Sequence, residues 1–352
     1  MGVRDVTTNE YLDTRERVAD LLNGFVYHGK EFVRPEHVKQ IKNVLSRAER
    51  QKHPQGKRKR KSEGKNNISQ KMIQTVTVDV IREVERDLNA MRAVIVMLEN
   101  QTDIHYAMPI RALNLEAIAY HTQWRQAAKT HSAKKDFSGA EYLSGFAKDE
   151  KVKPVLLIVL YWGQEPWDGP RSLKDMIDFG DYPEELRELI IDYPLHLIEV
   201  RQYERTSEFK TDLKYVFGFL QHDHDIDALK HYLEENEQEL CSLAPDAYDA
   251  ISAMSHSEEL QMARDKYQVI TENGRRQDMC KAIKDMIKEG EDRGIQQGMQ
   301  QGIQQGIQQE LVKSIDNVMK NLHLDLQAAC TAFEVSIAQY EAARKAAAGK
   351  TM

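Results

Sequence analysis

Two apolar runs separated by a polar turn dominate the first third of the chain. Val76, Val78 and Val80 alternate with polar neighbours, and Asp79 and Arg82 lie among them, as in a strand with one wet face. Ala93 to Leu98 is apolar without interruption, as in a strand covered on both faces. Asp87-Leu-Asn89-Ala90 supplies turn chemistry between the runs, so the pattern predicts an antiparallel hairpin folding back near Asn89. Pairing about that point matches residues whose numbers sum to about 178, which sets Asp79 across from Glu99 at roughly 5 Å between Cβ atoms. Gln101, two residues beyond Glu99, projects from the same strand face. Asp87 competes as the second acid, but it sits in the turn, about ten residues of strand rise away from Glu99.

Around this hairpin the pattern alternates between strand and helix. Residues 8 to 24 read as one amphipathic helix, with Asn9 or Thr14 as its cap and Val18, Leu21 and Leu22 as its apolar stripe. Phe25 to Val33 reads as a short extended segment, and Arg34-Pro35-Glu36-His37 as a helix start. Pro109 opens a further helix whose apolar stripe is Ile110, Leu113, Ala117, Tyr120 and Trp124, packed on the hairpin. Lys129 to Lys153 is a polar connection holding a short helix, and Val155 to Tyr161 is the most apolar run, a central strand. The loop from Trp162 to Arg171 carries Trp162 and Trp167, which wall a cleft or cap the core. Leu195 to Val200 predicts another strand, and Phe209 to Leu220 a helix. From Ile226 to Lys288 the pattern is helical throughout.

The last quarter is different. Gly recurs at 290, 294, 298, 302 and 306, with Ile295, Met299, Ile303 and Ile307 in step. Each Gly costs a helix about 1 kcal/mol relative to Ala, so such a segment is a self-association helix with a partner or a loose linker. Leu311 to Ala347 predicts short helices, capped by Asp325 and Ser336, with Leu326, Ala329, Phe333, Ile337 and Tyr340 as apolar positions. The organisation expected is a mixed α/β core flanked by helices over residues 1–225, a helical region over 226–288, the repeat over 289–309 and a small helical module over 310–352.

Composition narrows the function classes. The chain has 352 residues, 30% of them charged, and a formal net charge of -7. No apolar run approaches the ~20 residues of a membrane span, and Met1 to Asn23 has no signal-like core, so a cytoplasmic protein without membrane contact is expected. Cys241, Cys280 and Cys330 are odd in number and widely spaced, which suits reduced thiols acting as small buried residues. A negative net charge argues against wholesale binding to nucleic acid, so contact with DNA needs a local basic patch. Arg47 to Lys65 supplies one, with nine Lys or Arg and no aromatic residue. Arg58, Lys59, Arg60 and Lys61, in the loop over 47–66, are its densest part and fit either sequence-indifferent phosphate contact or a plain solvated loop.

The chemistry of the paired acids is that of a hard cation. Mg²⁺ or Mn²⁺ takes oxygen ligands, lowers the pKa of a bound water and offsets charge on a phosphodiester. Asp79 and Glu99 are the candidate ligands, and Gln101 is placed to orient the water; the same residues also suit a solvated hairpin end. Arg111, in the first turn of the helix at Pro109, either orients Glu99, meets a phosphate or forms a structural ion pair. His105 reads as a hydrogen-bonding loop residue, and His222-Asp-His-Asp225 as a helix end, because adjacent residues diverge in direction.

The segment Leu98-Glu-Asn-Gln-Thr-Asp-Ile-His-Tyr-Ala-Met-Pro-Ile-Arg111 resembles the signature of the Rpn family of recombination-promoting nucleases and transposase-like proteins, within the PD-(D/E)XK superfamily. Pro154-Val-Leu-Leu-Ile-Val-Leu-Tyr-Trp-Gly163, with Glu165-Pro-Trp-Asp-Gly-Pro-Arg-Ser-Leu173 after it, is similar to that family's next strand and turn, and the Gly-Ile-Gln-Gln tail to its terminal repeats. The resemblance implies a PD-(D/E)XK-like core and metal-dependent DNA endonuclease activity linked to recombination, mobile elements or defence. Asp79 and Glu99 fall on its acid positions, and Gln101 replaces the superfamily lysine, as in other Rpn members. A third acid from the first helix is also implied, with Asp20 and Glu16 as candidates. A self-associating helical tail and DNA are the expected partners. The competing expectation is a catalytically inactive DNA-binding or protein-interaction factor on the same scaffold.

Overall fold

The computed structural model describes residues 3–41, 44–48, 73–85, 93–272 and 274–348. The elements follow in order: α1 (Val3–Leu12), α2 (Arg15–Phe25), β1 (Val38–Gln40), β2 (Val44–Ala48), β3 (Ile73–Thr77), β4 (Val80–Glu85), β5 (Ala93–Gln101), α3 (Met108–Lys134), α4 (Gly139–Ser144), β6 (Val155–Tyr161), α5 (Glu184–Leu189) and β7 (His196–Glu199). Beyond them come α6 (Leu213–His222), α7 (Ile226–Glu235), α8 (Glu237–Leu240), α9 (Pro245–Met254), α10 (Glu258–Met262), β8 (Gln268–Thr271), β9 (Gly274–Gln277), α11 (Met279–Leu322), α12 (Leu326–Ala332) and α13 (Ile337–Ala348).

The protein is a mixed α/β fold on a five-stranded sheet, ordered β1-β4-β5-β6-β7. β1, β4 and β5 are antiparallel neighbours, whereas β5, β6 and β7 run parallel. The parallel step from β5 to β6 requires a crossover, and α3 provides it. β5 and β6 are the uninterrupted apolar runs of the sequence because both of their faces are covered. Ile95, Met97, Leu157, Val159 and Tyr161 pack with Met108, Ala112, Leu115, Ile118 and Ala119 of α3, while Val96, Leu98, Ile158 and Leu160 are buried on the other face.

The N-terminal segment is held in place by ionic anchors. Residues 8 to 24 are not one helix: the chain breaks after Leu12, and Thr14 caps α2 by accepting from the Arg17 amide. Buried Arg82 of β4 pairs with Asp13 in that break. Arg17 is bound at once by Asp212 and Asp246, at 2.7 and 2.5 Å, tying α2 to the starts of α6 and α9. Removing either acid leaves a buried guanidinium short of its counter-charge.

Several expectations are corrected. Val76, Val78 and Val80 do not lie on one strand: β3 pairs with β2 in a separate two-stranded sheet, and Val78 and Asp79 form a bend before β4. Val78 and Ile81, three residues apart, both pack in the cluster against α3, a spacing that an unbroken strand cannot satisfy. The stripe predicted on α3 is its outer face, with Ile110 51% exposed. The residues after Arg34 make one 3₁₀ turn, Pro35–His37, with β1 directly following. The stretch 226–288 is interrupted by the β8–β9 hairpin, whose Gly274 has φ +93. Two compact units are present, Met1–Cys280 and Lys281–Met352.

In the second unit the glycine repeat is part of one helix, α11, with Ile295, Met299, Ile303 and Ile307 exposed. Its C-terminal part carries Ile315, which packs with Ala329 and Cys330 of α12 and Tyr340 of α13. Asp325 caps α12, as expected. Among the described residues no helix is long and apolar enough to cross a membrane. The predicted turn at Asp87–Ala90 and the basic residues Arg58, Lys59, Arg60 and Lys61 lie outside the described residues.

Candidate metal centre

β5 ends at Gln101, and its last residues divide between the two faces of the sheet. Glu99 follows Ile95 and Met97 onto the α3 side. Asn100 faces the other way, where the indole Nε1 of buried Trp162 donates to its Oδ1 at 2.9 Å. Trp162 therefore caps the core and also fixes an amide at the end of the strand.

β4 pairs with β5 in the register predicted from the hairpin, Val80 opposite Leu98 and Ile81 opposite Met97. Continued by one residue, this register brings Asp79 to the end of the sheet opposite Glu99. Because Asp79 stands in the bend, its carboxylate turns onto the end of β5. Its Oδ2 accepts from the Asn100 amide at 2.9 Å, and its Oδ1 accepts from Asn9 Nδ2 at 3.1 Å. Asn100 Nδ2 in turn donates to Asn9 Oδ1 at 2.6 Å. Neutral groups from α1 and β5 thus take part in orienting Asp79.

Glu99 is fully buried. Its Oε2 accepts from Arg111 Nη2 at 2.6 Å, and its Oε1 has no hydrogen-bond partner. Burial pushes its carboxyl up to about 7 and like-charge repulsion from the Asp79 side chain adds to this, while Arg111 and a hydrogen bond from the Asp79 backbone amide oppose it. A buried carboxylate oxygen without a partner is costly and needs a donor or a cation.

Asp79 and Arg111 line an open cleft of about 350 Å³ together with Asn100, Gln101, Asp103 and His105, with Thr102 and Ile104 between them, whereas buried Glu99 is reached through Arg111 and is not itself part of the lining. Gln101 donates through Nε2 to the Asn100 carbonyl at 2.9 Å, which keeps its side-chain oxygen as an acceptor. His105 Nδ1 is buried and has no partner.

Other candidates lie elsewhere. The Asp20 carboxylate accepts from the Lys210 and Thr211 amides and the Thr211 hydroxyl, capping the segment that enters α6. It does not line the cleft, and neither does Glu16. His222 Nδ1 meets the Gly218 carbonyl, Asp223 pairs with Arg201, and Asp225 caps α7. That segment is therefore a helix end and its groups are already used. Asn9 and Asp103 were not singled out as site residues from the sequence. Asn9 was legible only as a helix cap, and nothing local connects it with Asp79, 70 residues away. Asp103 follows the Glu99-x-Gln101 pattern by two residues, a spacing that offered a signal.

The donor set suits a hard cation. It offers the Glu99 Oε1 and the Asp79 carboxyl oxygens, with no sulfur ligand among the residues lining the cleft. No family model, no curated protein and no solved structure matches this chain.

Proposed function

We propose that this protein is a metal-dependent DNA endonuclease that hydrolyses phosphodiester bonds, with Asp79 and Glu99 as ligands to Mg²⁺ or Mn²⁺. One observation carries the reading: a fully buried glutamate at a strand end keeps one carboxylate oxygen without a partner, beside a second carboxylate oriented by neutral amides. The resemblance of Leu98 to Arg111 to the Rpn signature, within the PD-(D/E)XK superfamily, supports the same assignment.

The bound cation supplies Lewis acidity, lowering the pKa of a water and offsetting charge on the phosphate. Asn9 and Asn100 help to hold the Asp79 carboxylate in place. Gln101, standing where the superfamily has lysine, would orient the attacking water by accepting a hydrogen bond from it through its side-chain oxygen. The positive charge that lysine would bring comes instead from Arg111, whose guanidinium already reaches Glu99 and lies at the edge of the cleft. Asp103 replaces Asp20 as the third acid in this scheme, and His105, which also lines the cleft, serves as proton carrier. Arg58, Lys59, Arg60 and Lys61 hold the DNA backbone, and copies associate through the exposed stripe of α11.

The test is nicking of supercoiled plasmid by the full chain with Mg²⁺. Wild type is expected to cut, chelator to stop it, and Asp79→Ala and Glu99→Ala to cut at least about a hundredfold more slowly, the scale of losing a group that stabilises the transition state. If both variants cut as fast as wild type, the assignment fails. The Glu99–Arg111 pair favours a second reading, in which Arg111 permanently satisfies Glu99 and the chain binds DNA without cutting it. In that case DNA binding persists in chelator, and Mg²⁺ binding does not depend on Glu99.

A further inference from the structure

Apart from this cleft, one cluster brings together side chains of a different chemical character. Cys241 ends α8, and Asp278 and Cys280 flank the first residue of α11. The thiol sulfurs of Cys241 and Cys280 and a carboxylate oxygen of Asp278 all lie within 4.8 Å of one another. The two segments are fixed by backbone bonds: Leu243 and Gln277 exchange amide–carbonyl bonds of 3.0 and 2.9 Å, and the Asp278 amide donates to the Tyr267 carbonyl at 2.9 Å. Cys280 is 1% exposed, while Cys241 and Asp278 are half-buried, so the cluster is framed by the core and open on one side.

We propose that Cys241, Asp278 and Cys280 form a binding site for a soft divalent cation of the zinc type, distinct from the cleft beside Asp79, whose lining holds no sulfur. Zinc takes sulfur ligands at about 2.3 Å and carboxylate oxygen at about 2.0–2.2 Å. In a tetrahedron those bonds set ligand atoms roughly 3.5–3.8 Å apart, so side-chain shifts of about 1 Å close the site. Thiolate donors select zinc over magnesium or calcium. Burial pushes the Cys241 thiol up, and the negative charges of Asp278 and Glu237 add to this while a hydrogen bond with Cys280 opposes it. A cation relieves that repulsion. Binding releases the two thiol protons to solvent, keeps the Asp278 charge, and leaves one tetrahedral corner to water. It clamps the end of α8 to the first turn of α11, adding to the Leu243–Gln277 bridge and to the contact of the Cys280 thiol with the Glu237 carbonyl.

The experiment titrates the full-length chain, reduced and freed of metal under anaerobic conditions, with Co²⁺. The expected result is a thiolate-to-cobalt charge-transfer band in the near ultraviolet that saturates at one equivalent per chain and is bleached by Zn²⁺. Cys241→Ser and Asp278→Asn are expected to weaken binding by about tenfold or more, and Cys330→Ser to leave the band intact. Circular dichroism checks that each variant is folded. As a readout independent of variants, Zn²⁺ is expected to slow alkylation of Cys241 in the wild-type chain. Absence of the band in a chain whose thiols are free overturns the proposal. So does a band unchanged in both Cys241→Ser and Asp278→Asn, or isolation of the chain with Cys241 and Cys280 joined in a disulfide and no metal.

Discussion

Among single residues, Glu99 combines full burial with two charged neighbours at the sheet end, Asp79 and Arg111. Its position follows from the sequence, since a continuous apolar run ending in Glu-x-Gln predicts a buried strand with polar groups at its end, and the β4–β5 register came out as the turn chemistry implied. Its protonation has a measurable consequence. The carboxyl rises from 4.5 in the unfolded chain to about 7 in the fold. Below the lower value both states hold the proton and there is no effect. Between the two, the unfolded chain loses its proton while the folded chain keeps it, so stability falls as pH rises, and above the upper value the loss is complete. The total is about 3 kcal/mol at 1.36 kcal/mol per pKa unit. Metal-free wild type is therefore expected to lose stability to urea between about pH 5 and pH 7.5, and Glu99→Gln to lose that slope. Parallel pH profiles for the two proteins would remove the assignment of burial as the cause. The supporting residues were less legible. Asn9 carries no local mark of its contact with Asp79, because that contact joins positions 70 residues apart.

At the scale of elements, the strong period signals survived and the ambiguous ones did not. β5, β6 and α6 lie where the pattern put them, since a long apolar run has few ways to be satisfied. α3 is instructive because it carries two apolar stripes. Ile110, Leu113, Tyr120 and Trp124 keep helical spacing as well as Met108, Ala112, Leu115 and Ala119 do, and only the sheet chooses between them. The choice can be measured. Leu115→Ala is expected to cost about 2–5 kcal/mol by cavity formation, whereas Ile110→Ser should fall within about 0.5 kcal/mol. Urea unfolding that ranked them the other way would restore the outer stripe to the core. The bend at Val78 and Asp79 was hidden for a related reason. A period of two continues through it in sequence, yet the cluster against α3 takes Val78 and Ile81 together. The β8–β9 hairpin was missed although Asn273-Gly274 is a hairpin dipeptide. Helical spacing on both sides masked it.

Across the whole molecule, the compact unit extends to Cys280, because α9 packs on α1 and Arg17 binds Asp246 at the start of α9. These contacts join chain ends more than 200 residues apart in sequence, and no linker-like composition marks or excludes them. The second unit poses the opposite problem. α11 carries five glycines that open onto empty space and an apolar row, with Ile303 58% exposed. Self-association through this face predicts that the full chain sediments as an oligomer and that Ile303→Asp with Ile307→Asp converts it to monomer with reduced helix content, measured by analytical ultracentrifugation and circular dichroism. A wild-type monomer with full helicity sinks that part of the proposal. The sequence by itself determined what depends on neighbours along the chain: the buried strands, the hairpin register, the helix caps at Thr14 and Asp325, and the acids at one strand end. Tertiary structure alone decided which helix face is buried, where β3 gives way to β4, which residues hold Asp79, and which acid reaches the cleft. The reason is that these depend on which distant surface arrives to cover a group, and period and propensity carry no information about distance in space.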